Sequence, residues 1–437
     1  MYLLYTLCLI LGGLLLLPGV LWRCLRGASY HHDLAERFGR GRLAAPGPEV
    51  AAGGLWFHAA SVGEVQGIQP IIAALRRQVP TMPVVLSTFT PAGKHLAQRL
   101  VPEAAVIFVL PWDFPWLMQR LLRRFQPRLL VIQETELWPN LLRAAARQQV
   151  PVALVNGRLS QRSFQRYRWL RPGMRRVLDH VTLLLAQSAS SAQRLRCLGA
   201  AAERLHVAGN TNIDRALLAA EQPGSPPVIA PWVHGRRLLV AGSTHEGEEA
   251  VLLEVYRRLA SRYADLLLVL APRHLERLDT VLRLIQRSPY QALRRSDYAA
   301  WPETAGSGPA VILLDTMGEL AGLYSLSTVA FVGGSLVPVG GHNILEPAVY
   351  ARPVFFGPHM HHFPELAAML CQAGGAMQIH GPDDFTEHLR RLLEAPEEAA
   401  AMGQRAFCAL AANRGALERT TGHLLTLLRA GASGPQG

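Results

Sequence analysis

Lysine is nearly absent from this 437-residue sequence, and cysteine is scarce. Lys94 is the only lysine, so arginines make up almost all of the 44 basic residues, which outnumber 32 acidic residues for a net charge of +12. Arginine makes planar, bidentate contacts with phosphate and carboxylate, so the composition predicts anionic partners. The five cysteines are scattered, without a Cys-x-x-Cys pair, which excludes a disulfide framework and a zinc knot.

Two motifs of phosphate chemistry are also missing. The sequence has no Gly-x-x-x-x-Gly-Lys-Ser/Thr segment, which excludes a P-loop NTP hydrolase. No Asp-x-Asp motif follows a predicted strand, so we expect no metal ion to accompany a diphosphate. His359, His361 and His362 resemble a metal cluster, but no acid or cysteine stands at ligand spacing, and surface histidines are the better interpretation. We therefore predict no metal and no other cofactor.

Charged residues are missing from the start of the chain as well. Residues 2–22 carry none, and Arg23 and Arg26 follow them. Because about 20 apolar residues span a hydrocarbon core, residues 1–22 are predicted to form a transmembrane anchor and residues 23–52 a basic juxtamembrane segment. The positive-inside rule then places the rest of the chain in the cytoplasm. A cleaved or merely interfacial segment is the alternative.

From about Gly53, short apolar runs alternate with amphipathic stretches, which predicts an α/β fold. Strand-like segments such as Leu55–His58 and Leu129–Gln133 alternate with helix-period segments, the rhythm of parallel, doubly wound sheets. A Pro/Gly-rich stretch at residues 221–227 interrupts this rhythm, which then restarts. Two doubly wound domains that face a cleft are therefore predicted. Their bounds are residues 53–218 for the first domain, 219–235 for a linker, 236–412 for the second domain and 413–437 for a C-terminal helix and tail.

In the first half, acidic residues stand where predicted strands end. Glu64 follows small residues at a helix start, where a carboxylate beside a cleft can act as a general base. An acid that only complements the helix dipole is the alternative for Glu64. Glu134 and Glu136 follow another apolar strand, and Glu136 is interpreted as a helix cap. Glu134 has no capping duty, so it is a second candidate for the site.

The second half repeats this pattern with glycine and arginine. Arg273 follows a strand and places a guanidinium at the carboxyl edge of the sheet, which suits a phosphate. Residues 332–346 surround a turn with glycines, and we expect the backbone amides freed by this geometry to hold a phosphate. Asn343 is predicted to be the N-cap of the following helix, and Glu346 to accept from ribose hydroxyls. A tight turn is the alternative, but residues 315–319 after the preceding strand favour a nucleotide site.

Arginines and aromatic residues occur together in two places. Trp112 and Trp116 lead into an amphipathic stretch with three arginines, which suits a membrane interface. Residues 158–176 contain seven arginines, interleaved aromatic residues and no acid. Nucleic acid is one interpretation of such a stretch, and an anionic lipid or a phosphorylated acceptor is another. The apolar N-terminus favours lipid, so we predict an anionic membrane surface and no nucleic acid as partner.

Taken in order, these motifs resemble those of the 3-deoxy-D-manno-octulosonic acid (Kdo) transferases of lipopolysaccharide assembly. The similarity spans about residues 1–425. It rests on the segments Ser61-Val-Gly-Glu64, Glu134-Thr-Glu-Leu-Trp-Pro-Asn140, Ser243-Thr-His-Glu-Gly-Glu-Glu249, Pro272-Arg-His274, Asp315-Thr-Met-Gly-Glu-Leu320, Phe331-Val-Gly-Gly-Ser-Leu336 and Gly340-Gly-His-Asn343. The resemblance implies a GT-B fold of two Rossmann-like domains, the first for the acceptor and the second for the donor. It also implies CMP-Kdo as donor, a lipid A precursor (lipid IVA) as acceptor, and a place at the cytoplasmic face of the inner membrane.

The resemblance assigns roles to individual residues. Glu64 matches the family's general base in an inverting displacement, and Glu134 matches a second acid that helps the transition state. The departing group is a single nucleotide phosphate, which helix amides and arginine can stabilise without a metal. The residues that match the CMP-binding segments are Pro272, Arg273, Met317, Gly318, Glu319, Asn343, Ile344, Leu345 and Glu346. Arg158, Trp112 and Trp116 are the candidates for contact with the acceptor and the membrane.

One position departs from the family's pattern. Where the family commonly has a lysine before a Phe-Asp pair, this chain has Asn212 before Ile213 and Asp214. Asparagine can donate a hydrogen bond but brings no charge. Either an arginine, Arg158 or Arg215, replaces the cation, or turnover is slower than is usual in the family. Asn212 stays a candidate catalytic residue on this basis.

Two other functions stay open at this point. Another GT-B enzyme, such as a nucleotide-sugar epimerase or a UDP-sugar transferase, would use the same fold. A membrane-tethered RNA-binding or scaffold protein would use the arginine-rich stretch at residues 158–176 and would bind nucleic acid in a salt-sensitive way. That second function leaves the acids at the strand ends unexplained.

Overall fold

A computed structural model describes residues 1–26, 37–38, 53–222, 227–301 and 308–432. The chain divides into two compact units, the first formed by residues 1–215 and 414–437 and the second by residues 216–413. The predicted basic segment at residues 23–52 lies mostly outside the described residues. Each unit is built around one parallel sheet, and the two units are described in turn.

The first unit contains a parallel sheet of seven described strands. They are β1 (Leu55–His58), β2 (Val84–Thr88), β3 (Val106–Val109), β4 (Leu129–Gln133), β5 (Val152–Gly157), β6 (Leu183–Ala186) and β7 (Leu205–Val207). The helices of this part of the chain are α1 (Tyr2–Arg26), α2 (Val62–Gln78), α3 (Pro91–Leu100), α4 (Pro115–Phe125), α5 (Pro139–Arg147), α6 (Gln161–Arg168), α7 (Arg171–Leu178), α8 (Ala189–Leu198) and α9 (Thr211–Glu221). A single 3-10 turn, Ala202–Arg204, precedes β7.

The strand order of the first sheet explains where its polar residues gather. The order is β3-β2-β1-β4-β5-β6-β7, so the direction of winding reverses between β1 and β4. In register, His58 of β1 stands beside Ile132 of β4, and both strands end there or one residue later. In parallel α/β sheets, ligands bind outside the carboxyl ends of the strands at such a switch point. Glu134 follows β4 directly in the chain, and Glu64 lies in the first turn of the helix that follows β1.

Helices cover both faces of the first sheet because its central strands are apolar throughout. In β4, Leu130 and Ile132 belong to one core cluster, which includes α4, α5, α7 and α8. Leu129 and Val131 belong to another, which includes α2 and the C-terminal helix α18 (Ala416–Ala432). This alternation is the two-residue period of a strand whose two faces are both buried.

The C-terminal helix α18 returns to the first unit after the chain has built the second one. The carboxylate of Asp214 accepts hydrogen bonds from the backbone N–H groups of Gly415 (2.7 Å) and Ala416 (3.1 Å) at the start of this helix. Arg419 donates to the carbonyl of Ala208 at 2.9 Å. Leu424 and Leu428 complete the packing against α2 and the sheet. Asp214 therefore serves as a cap for α18, although it is 202 residues from Ala416 in sequence.

The second unit repeats the parallel architecture. Its strands are β8 (Arg237–Thr244), β9 (Leu266–Pro272), β10 (Gln291–Arg294), β11 (Ala310–Leu313), β12 (Val329–Val332), β13 (Val354–Phe356) and β14 (Ala376–Gln378). Its helices are α10 (Ala230–Val233), α11 (Glu248–Ala260), α12 (Leu278–Gln286), α13 (Leu320–Leu326), α14 (Leu345–Ala348), α15 (Pro364–Gln372), α16 (Pro382–Glu394) and α17 (Pro396–Ala412), with 3-10 turns at Leu275–Arg277 and Arg295–Ala300. The order β10-β11-β9-β8-β12-β13-β14 places the switch point between β8 and β12.

The described strands match the predicted ones wherever the sequence is continuously apolar. Three edge strands were not predicted: β7, β10 and β14, with the sequences Leu-His-Val, Gln-Ala-Leu-Arg and Ala-Met-Gln. They are three or four residues long, and each contains at least one polar residue. Short edge strands of this kind are common at sheet margins and give little periodic signal.

The first helix packs against the first unit through its polar side chains. The Tyr2 hydroxyl donates to the carbonyl of Arg176 (3.2 Å), and the Arg143 guanidinium lies 4.6 Å from the centre of the Tyr2 ring. Thr6 accepts a hydrogen bond of 3.1 Å from the buried side chain of Asn140. Among the described residues, no helix is both long enough and apolar enough to cross a bilayer. The predicted transmembrane anchor at residues 1–22 is therefore not confirmed.

Candidate functional site

Glu64 lies in the first turn of α2, at the switch point of the first sheet. Ser61 is the N-cap of this helix, with extended backbone, and its hydroxyl accepts from the Glu64 backbone N–H at 3.4 Å. In return, the Glu64 carboxylate accepts from the Ser61 hydroxyl (2.8 Å) and from the backbone N–H of Ala60 (2.9 Å). This reciprocal arrangement resembles a capping box. Glu64 therefore also has the structural role that was the alternative, as an acid at the start of a helix. The hydrogen bonds of that role hold its carboxylate in one orientation.

The surroundings of Glu64 also suit proton transfer. Its pKa is raised from 4.5 to about 7, chiefly by burial and also by the carboxylates of Glu136 and Glu134, against the hydrogen bonds from Ala60 and Ser61, which lower it. Glu64 is only 9 % exposed. A general base works best when its pKa lies close to the pH at which the enzyme operates. Burial, together with the two neighbouring carboxylates, thus gives Glu64 a pKa suited to a base.

Glu134 follows the last residue of β4 in an unusual backbone conformation. Its φ is +58°, in the left-handed region that non-glycine residues seldom adopt, and such residues cluster at functional sites. Burial raises the pKa of Glu134, while the positive charge of Arg158 lowers it. The Arg158 guanidinium lies 3.4 Å from the Glu134 carboxylate. Arg158, predicted as a candidate for acceptor contact, is thus placed beside the second acid.

Glu136 was interpreted as a helix cap, and the structure differs. Trp138, rather than Glu136, is the N-cap of α5, and it makes no side-chain capping bond. The backbone N–H groups of Asn140 and Leu141 instead donate to the buried Asp113, at 2.9 and 2.8 Å. Proline at the first position of α5 leaves fewer N–H groups to cap. The pKa of Glu136 is raised by burial and by Glu134, so Glu136 belongs to the acidic group.

A set of buried amides behind the acids was missed by sequence reasoning. Gln133 is fully buried at the end of β4, and neither its amide nitrogen nor its amide oxygen has a hydrogen-bond partner among the described residues. Asn156 accepts from the Thr211 backbone N–H at 3.3 Å, but its amide nitrogen and the Thr211 hydroxyl have no partner there either. Buried polar groups are normally satisfied, so these atoms mark a polar site. A glutamine at the end of the run Leu-Leu-Val-Ile-Gln was the available signal.

Asn212 lies beside this set, in the first turn of α9. A Cβ atom on Gly67 of α2 would stand 2.7 Å from the Gln133 amide nitrogen and 3.2 Å from the Asn212 amide oxygen. The absence of that atom lets both side chains approach α2. The structure therefore brings Asn212 close to Gln133. Both side chains lie against Gly67 of α2, the helix whose first turn carries Glu64.

In the second unit, Glu248 organises the glycine-rich loop. Its carboxylate is fully buried and accepts four backbone hydrogen bonds. The donors, at 2.7 to 2.9 Å, are the backbone N–H groups of His245, Gly334, Ser335 and Leu336. The prediction that loop amides are free to hold a phosphate is wrong for residues 334–336, because Glu248 already occupies them. A carboxylate 86 to 88 residues away in sequence gave no signal of this pairing.

The segment 343–346 also differs in detail from its prediction. Ile344, rather than Asn343, is the N-cap of α14. The Asn343 side chain still accepts from the Leu345 backbone N–H (3.2 Å) and donates to the Glu346 carboxylate (3.2 Å). Ile344 and Leu345 are buried and anchor the segment. Asn343 and Glu346, both half-buried, are the polar residues that it presents.

The remaining predicted nucleotide residues lie at the carboxyl edge of the second sheet. Pro272 ends β9 and is buried, whereas Arg273 is exposed. Met317 is 74 % exposed, and Gly318 has a φ of +89°, which glycine adopts at little cost. Glu319 accepts from Arg295 (2.8 Å) and from the Thr316 hydroxyl (2.6 Å), so its carboxylate is already held.

Within the described residues, no three or more histidine, cysteine or acidic side chains are arranged to hold a metal ion. The histidines of the second unit form a different arrangement. The Nε2 atoms of His245 and His342 lie 2.8 Å apart, with the rings stacked at 5.1 Å. His274 meets His245 edge to face at 5.3 Å. Sequence reasoning did not single out His245 and His342, because they stand 97 residues apart.

The two tryptophans predicted for the membrane or acceptor differ in exposure. Trp112 is half-buried, with its ring 6.1 Å from Phe89 and the Arg37 guanidinium 5.6 Å away. Trp116 is 56 % exposed and stacks on Phe114 at 4.8 Å. Only Trp116 of the pair therefore offers an open surface.

Two parallel sheets, each with polar groups at its switch point, define this chain as an α/β protein of two doubly wound units. UDP-GlcNAc 2-epimerase from Neisseria meningitidis, solved with bound UDP-GlcNAc, shares this fold with a TM-score of 0.60 at 16% identity, over 86% of this chain and 99% of that one. At that identity the likeness concerns the fold alone, which is of the GT-B type.

Sequence relatives identify the family. The family model for 3-Deoxy-D-manno-octulosonic-acid transferase (kdotransferase) matches residues 32–215. The 3-deoxy-D-manno-octulosonic acid transferase of Haemophilus influenzae is 35% identical over 427 residues, which cover 97% of each chain. The transferase of the same name from Bordetella pertussis is 34% identical over 412 residues, 92% of this chain and 93% of that one. The chain belongs to the 3-deoxy-D-manno-octulosonic acid transferase family and is a glycosyltransferase.

Proposed function

We propose that this protein transfers Kdo from CMP-Kdo to a lipid A precursor, with inversion and with Glu64 as general base. The observation that carries the proposal is the setting of Glu64: buried in the first turn of α2, held by Ser61 and Ala60, and with a pKa raised to about 7. Membership of the family supplies the sugar that is transferred. The acceptor, the stereochemistry and the role of Glu64 are the parts that we add.

The proposed reaction is a single displacement at the anomeric carbon of Kdo. The acceptor hydroxyl oxygen forms a bond to that carbon, and its proton moves to the Glu64 carboxylate. The bond between the anomeric carbon and the phosphate oxygen breaks, and its electron pair leaves with CMP. Positive charge develops on the sugar as the phosphate departs, so a second carboxylate nearby stabilises it. Glu134, held beside Arg158 at 3.4 Å, is proposed for that role.

Asn212 takes part in the proposal as a hydrogen-bond donor. It lies by Gln133 and Gly67, on the side of the first unit that carries Glu64. Of the two arginines considered as a substitute for the family's lysine, Arg158 has its guanidinium at the acidic group. We therefore propose Arg158 as the replacement cation.

We place the CMP portion of the donor on the second unit. The proposed contacts are Arg273, the exposed backbone at Met317 and Gly318, and the polar groups of Asn343 and Glu346. Since Glu248 uses the loop amides of residues 334–336, the phosphate is assigned to Arg273 rather than to those amides. No metal or other cofactor enters the proposal.

We further propose that the protein works on the cytoplasmic face of the inner membrane. Trp169 is 90 % exposed, and Leu170 next to it is also exposed. The two residues lie between α6 and α7, which together contain six arginines. Apolar side chains beside cations suit a surface of anionic lipids. The exposed apolar residues at the start of α1 add to this surface: Leu3, Leu4, Leu7, Ile10, Leu11, Leu14 and Leu15.

The proposed function is tested by the mass of the product. The purified protein is incubated with a CMP-Kdo generating system and a tetraacylated lipid A precursor. We expect the acceptor mass to rise by one or more Kdo residues, and the number added is read from the same spectrum. An unchanged acceptor would contradict the proposal.

The same mixture separates the proposal from a UDP-sugar enzyme of similar fold. Added CMP is expected to inhibit Kdo transfer, and added UDP at the same concentration to leave it nearly unchanged. Stronger inhibition by UDP would favour the alternative enzyme. Salt-sensitive RNA binding without transfer would favour the scaffold.

A further inference from the structure

Two histidines meet at the switch point of the second sheet, in a position that the proposed reaction does not yet use. His245 follows β8, and His342 lies in the loop after β12, the two strands between which the winding reverses. Their Nε2 atoms are 2.8 Å apart, and their rings are nearly parallel, at 8°. A contact between two ring nitrogens requires one to donate and the other to accept, so at most one of these two atoms accepts at a time.

The backbone next to the two rings leaves space for them because residue 334 is a glycine. A Cβ atom on Gly334 would stand 2.9 Å from His342 and 3.3 Å from His245, and the φ of Gly334 is +66°. Ser243, which precedes the histidine on β8, has a φ of +55°, a strained value for a non-glycine residue. The buried carboxylate of Glu248 fixes the His245 and Gly334 backbones together. Strain and preorganisation of this kind cluster at ligand sites.

Two arginines, Arg273 and Arg277, and two glutamates, Glu248 and Glu249, are the charged groups around the pair. The pKa of His342 is lowered to about 4, first by burial and then by His245, Arg273, His362 and His274. Burial also lowers the pKa of His245, as do His274 and Arg277, whereas Glu248 and Glu249 raise it.

Both of these acids are engaged elsewhere. Glu248 receives four backbone N–H groups. Glu249 receives Arg277 in a bidentate pair (2.7 and 3.1 Å) and the Thr244 hydroxyl at 2.9 Å. Neither carboxylate is hydrogen-bonded to the rings of His245 or His342, so a charged ring here takes its acceptor from an external anion.

We propose that His245 and His342 bind the carboxylate of the sugar acid carried by the donor, next to Arg273, which holds the phosphate. This inference rests on the proposed function, because CMP-Kdo supplies the anion. The donor has two anionic groups, the phosphate and the carboxylate, both attached at the anomeric carbon. The nucleotide contacts proposed above account for the phosphate, which leaves the carboxylate as the group without a partner.

Binding in this way takes up a proton. In the free protein, burial first and then the nearby arginines lower the pKa of both rings and favour their neutral forms. A carboxylate beside the rings favours the charged imidazolium, which can donate to the carboxylate in a charge-assisted bond. The affinity for the donor is therefore expected to increase as the pH falls from 8 to 6, while the affinity for CMP changes little.

The experiment is calorimetric titration of the full-length protein with CMP-Kdo, CMP and free Kdo at pH 6 and pH 8. Each titration is repeated in two buffers of different ionisation enthalpy, which reports the protons taken up. We expect wild-type protein to take up a proton with CMP-Kdo and free Kdo but not with CMP. His342→Gln removes the titratable ring, so we expect about tenfold weaker binding of CMP-Kdo at pH 6, with CMP within about twofold.

Two further variants make the result decisive. His245→Gln is expected to behave like His342→Gln and serves if the latter does not fold. His206→Gln removes one ring of another stacked histidine pair, His206 and His423, at 4.8 Å in the first unit, and should leave all ligands unaffected. Equal loss of CMP and CMP-Kdo, or proton uptake that persists in both site variants, would overturn the inference. Failure of wild-type protein to bind CMP-Kdo would overturn the proposed function itself.

Discussion

At the scale of single residues, Glu64 combines a structural bond with a chemical property. The same carboxylate that accepts from Ser61 and Ala60 has a pKa raised to about 7 by burial and by two neighbouring acids. The hydrogen bonds favour the charged form, and burial favours the neutral form. Since the base must be deprotonated to act, the balance between these effects sets the pH at which it becomes active.

Ser61→Ala tests this balance. The substitution removes the N-cap of α2, which is expected to cost about 1 kcal/mol of folding free energy. It also removes a hydrogen bond that lowers the pKa of Glu64. The pKa should therefore rise, and the increase of kcat/KM with pH should move to higher pH.

The matched control is Ser188→Ala. Ser188 caps α8 by the same kind of bond, to the Ser191 backbone N–H at 3.1 Å. It should lose similar stability, measured by denaturant unfolding, without any shift of the pH profile. An unshifted profile in Ser61→Ala would show that Ser61 does not tune the base.

At the scale of elements, the glycine-rich loop is a structure held by one side chain. Glu248 stands in the first turn of α11, where sequence reasoning sees an acid that complements a helix. Its carboxylate instead accepts hydrogen bonds from four backbone N–H groups that would otherwise have no partner. The sequence could predict a turn here from its glycines, but not which group satisfies that turn, because the pairing depends on the finished sheet.

Glu248→Ala is predicted to destabilise the second unit strongly. Four backbone donors lose a charged acceptor in a buried setting, so we expect a loss of about 3–5 kcal/mol in the free energy of unfolding. The measurement is urea unfolding followed by tryptophan fluorescence and circular dichroism. Glu246→Ala, an exposed acid two residues away, should change stability by no more than about 0.5 kcal/mol. A loss below about 1 kcal/mol in Glu248→Ala would contradict this account of the loop.

At the scale of the whole molecule, apolar runs predicted most of the architecture. Runs such as Leu-Leu-Val-Ile in β4 are buried on both faces and leave little choice but a parallel sheet between helices. The return of α18 to the first unit could not be predicted, since it depends on a cap from Asp214.

Part of the candidate site was also predictable from the sequence, and part was not. Glu64 and Glu134 stand next to strand ends in the sequence, so the alternation of elements was enough to propose them. The burial of Gln133, Asn156 and Thr211 follows from how β4, β5 and α9 pack, which no local pattern encodes. The His245–His342 contact likewise depends on two strands that are neighbours only in the folded sheet.

The exposed surface around Trp169 leads to a prediction about lipid binding. The protein should bind vesicles that contain anionic phosphatidylglycerol more strongly than neutral ones, and less strongly as salt increases. The double substitution Trp169→Ser with Leu170→Ser should weaken this binding, as measured by flotation, because it removes apolar side chains from the surface. Leu275→Ser, at an exposed leucine of the second unit, is the control and should bind as wild type does. Equal flotation with neutral and anionic vesicles would contradict a role for the arginines.

The most direct test of the central claim is the pH dependence of Kdo transfer by wild-type protein and by Glu64→Gln. Glutamine keeps the size of the side chain and an acceptor for the Ala60 N–H, so circular dichroism and CMP binding should be unchanged. For wild-type protein we predict that kcat/KM increases with pH through a midpoint near 7, the pKa of Glu64. For Glu64→Gln we predict a loss of at least about 100-fold and no such increase. Transfer by Glu64→Gln within tenfold of wild type, or the same rise with pH in both proteins, would contradict the claim that Glu64 takes the acceptor's proton.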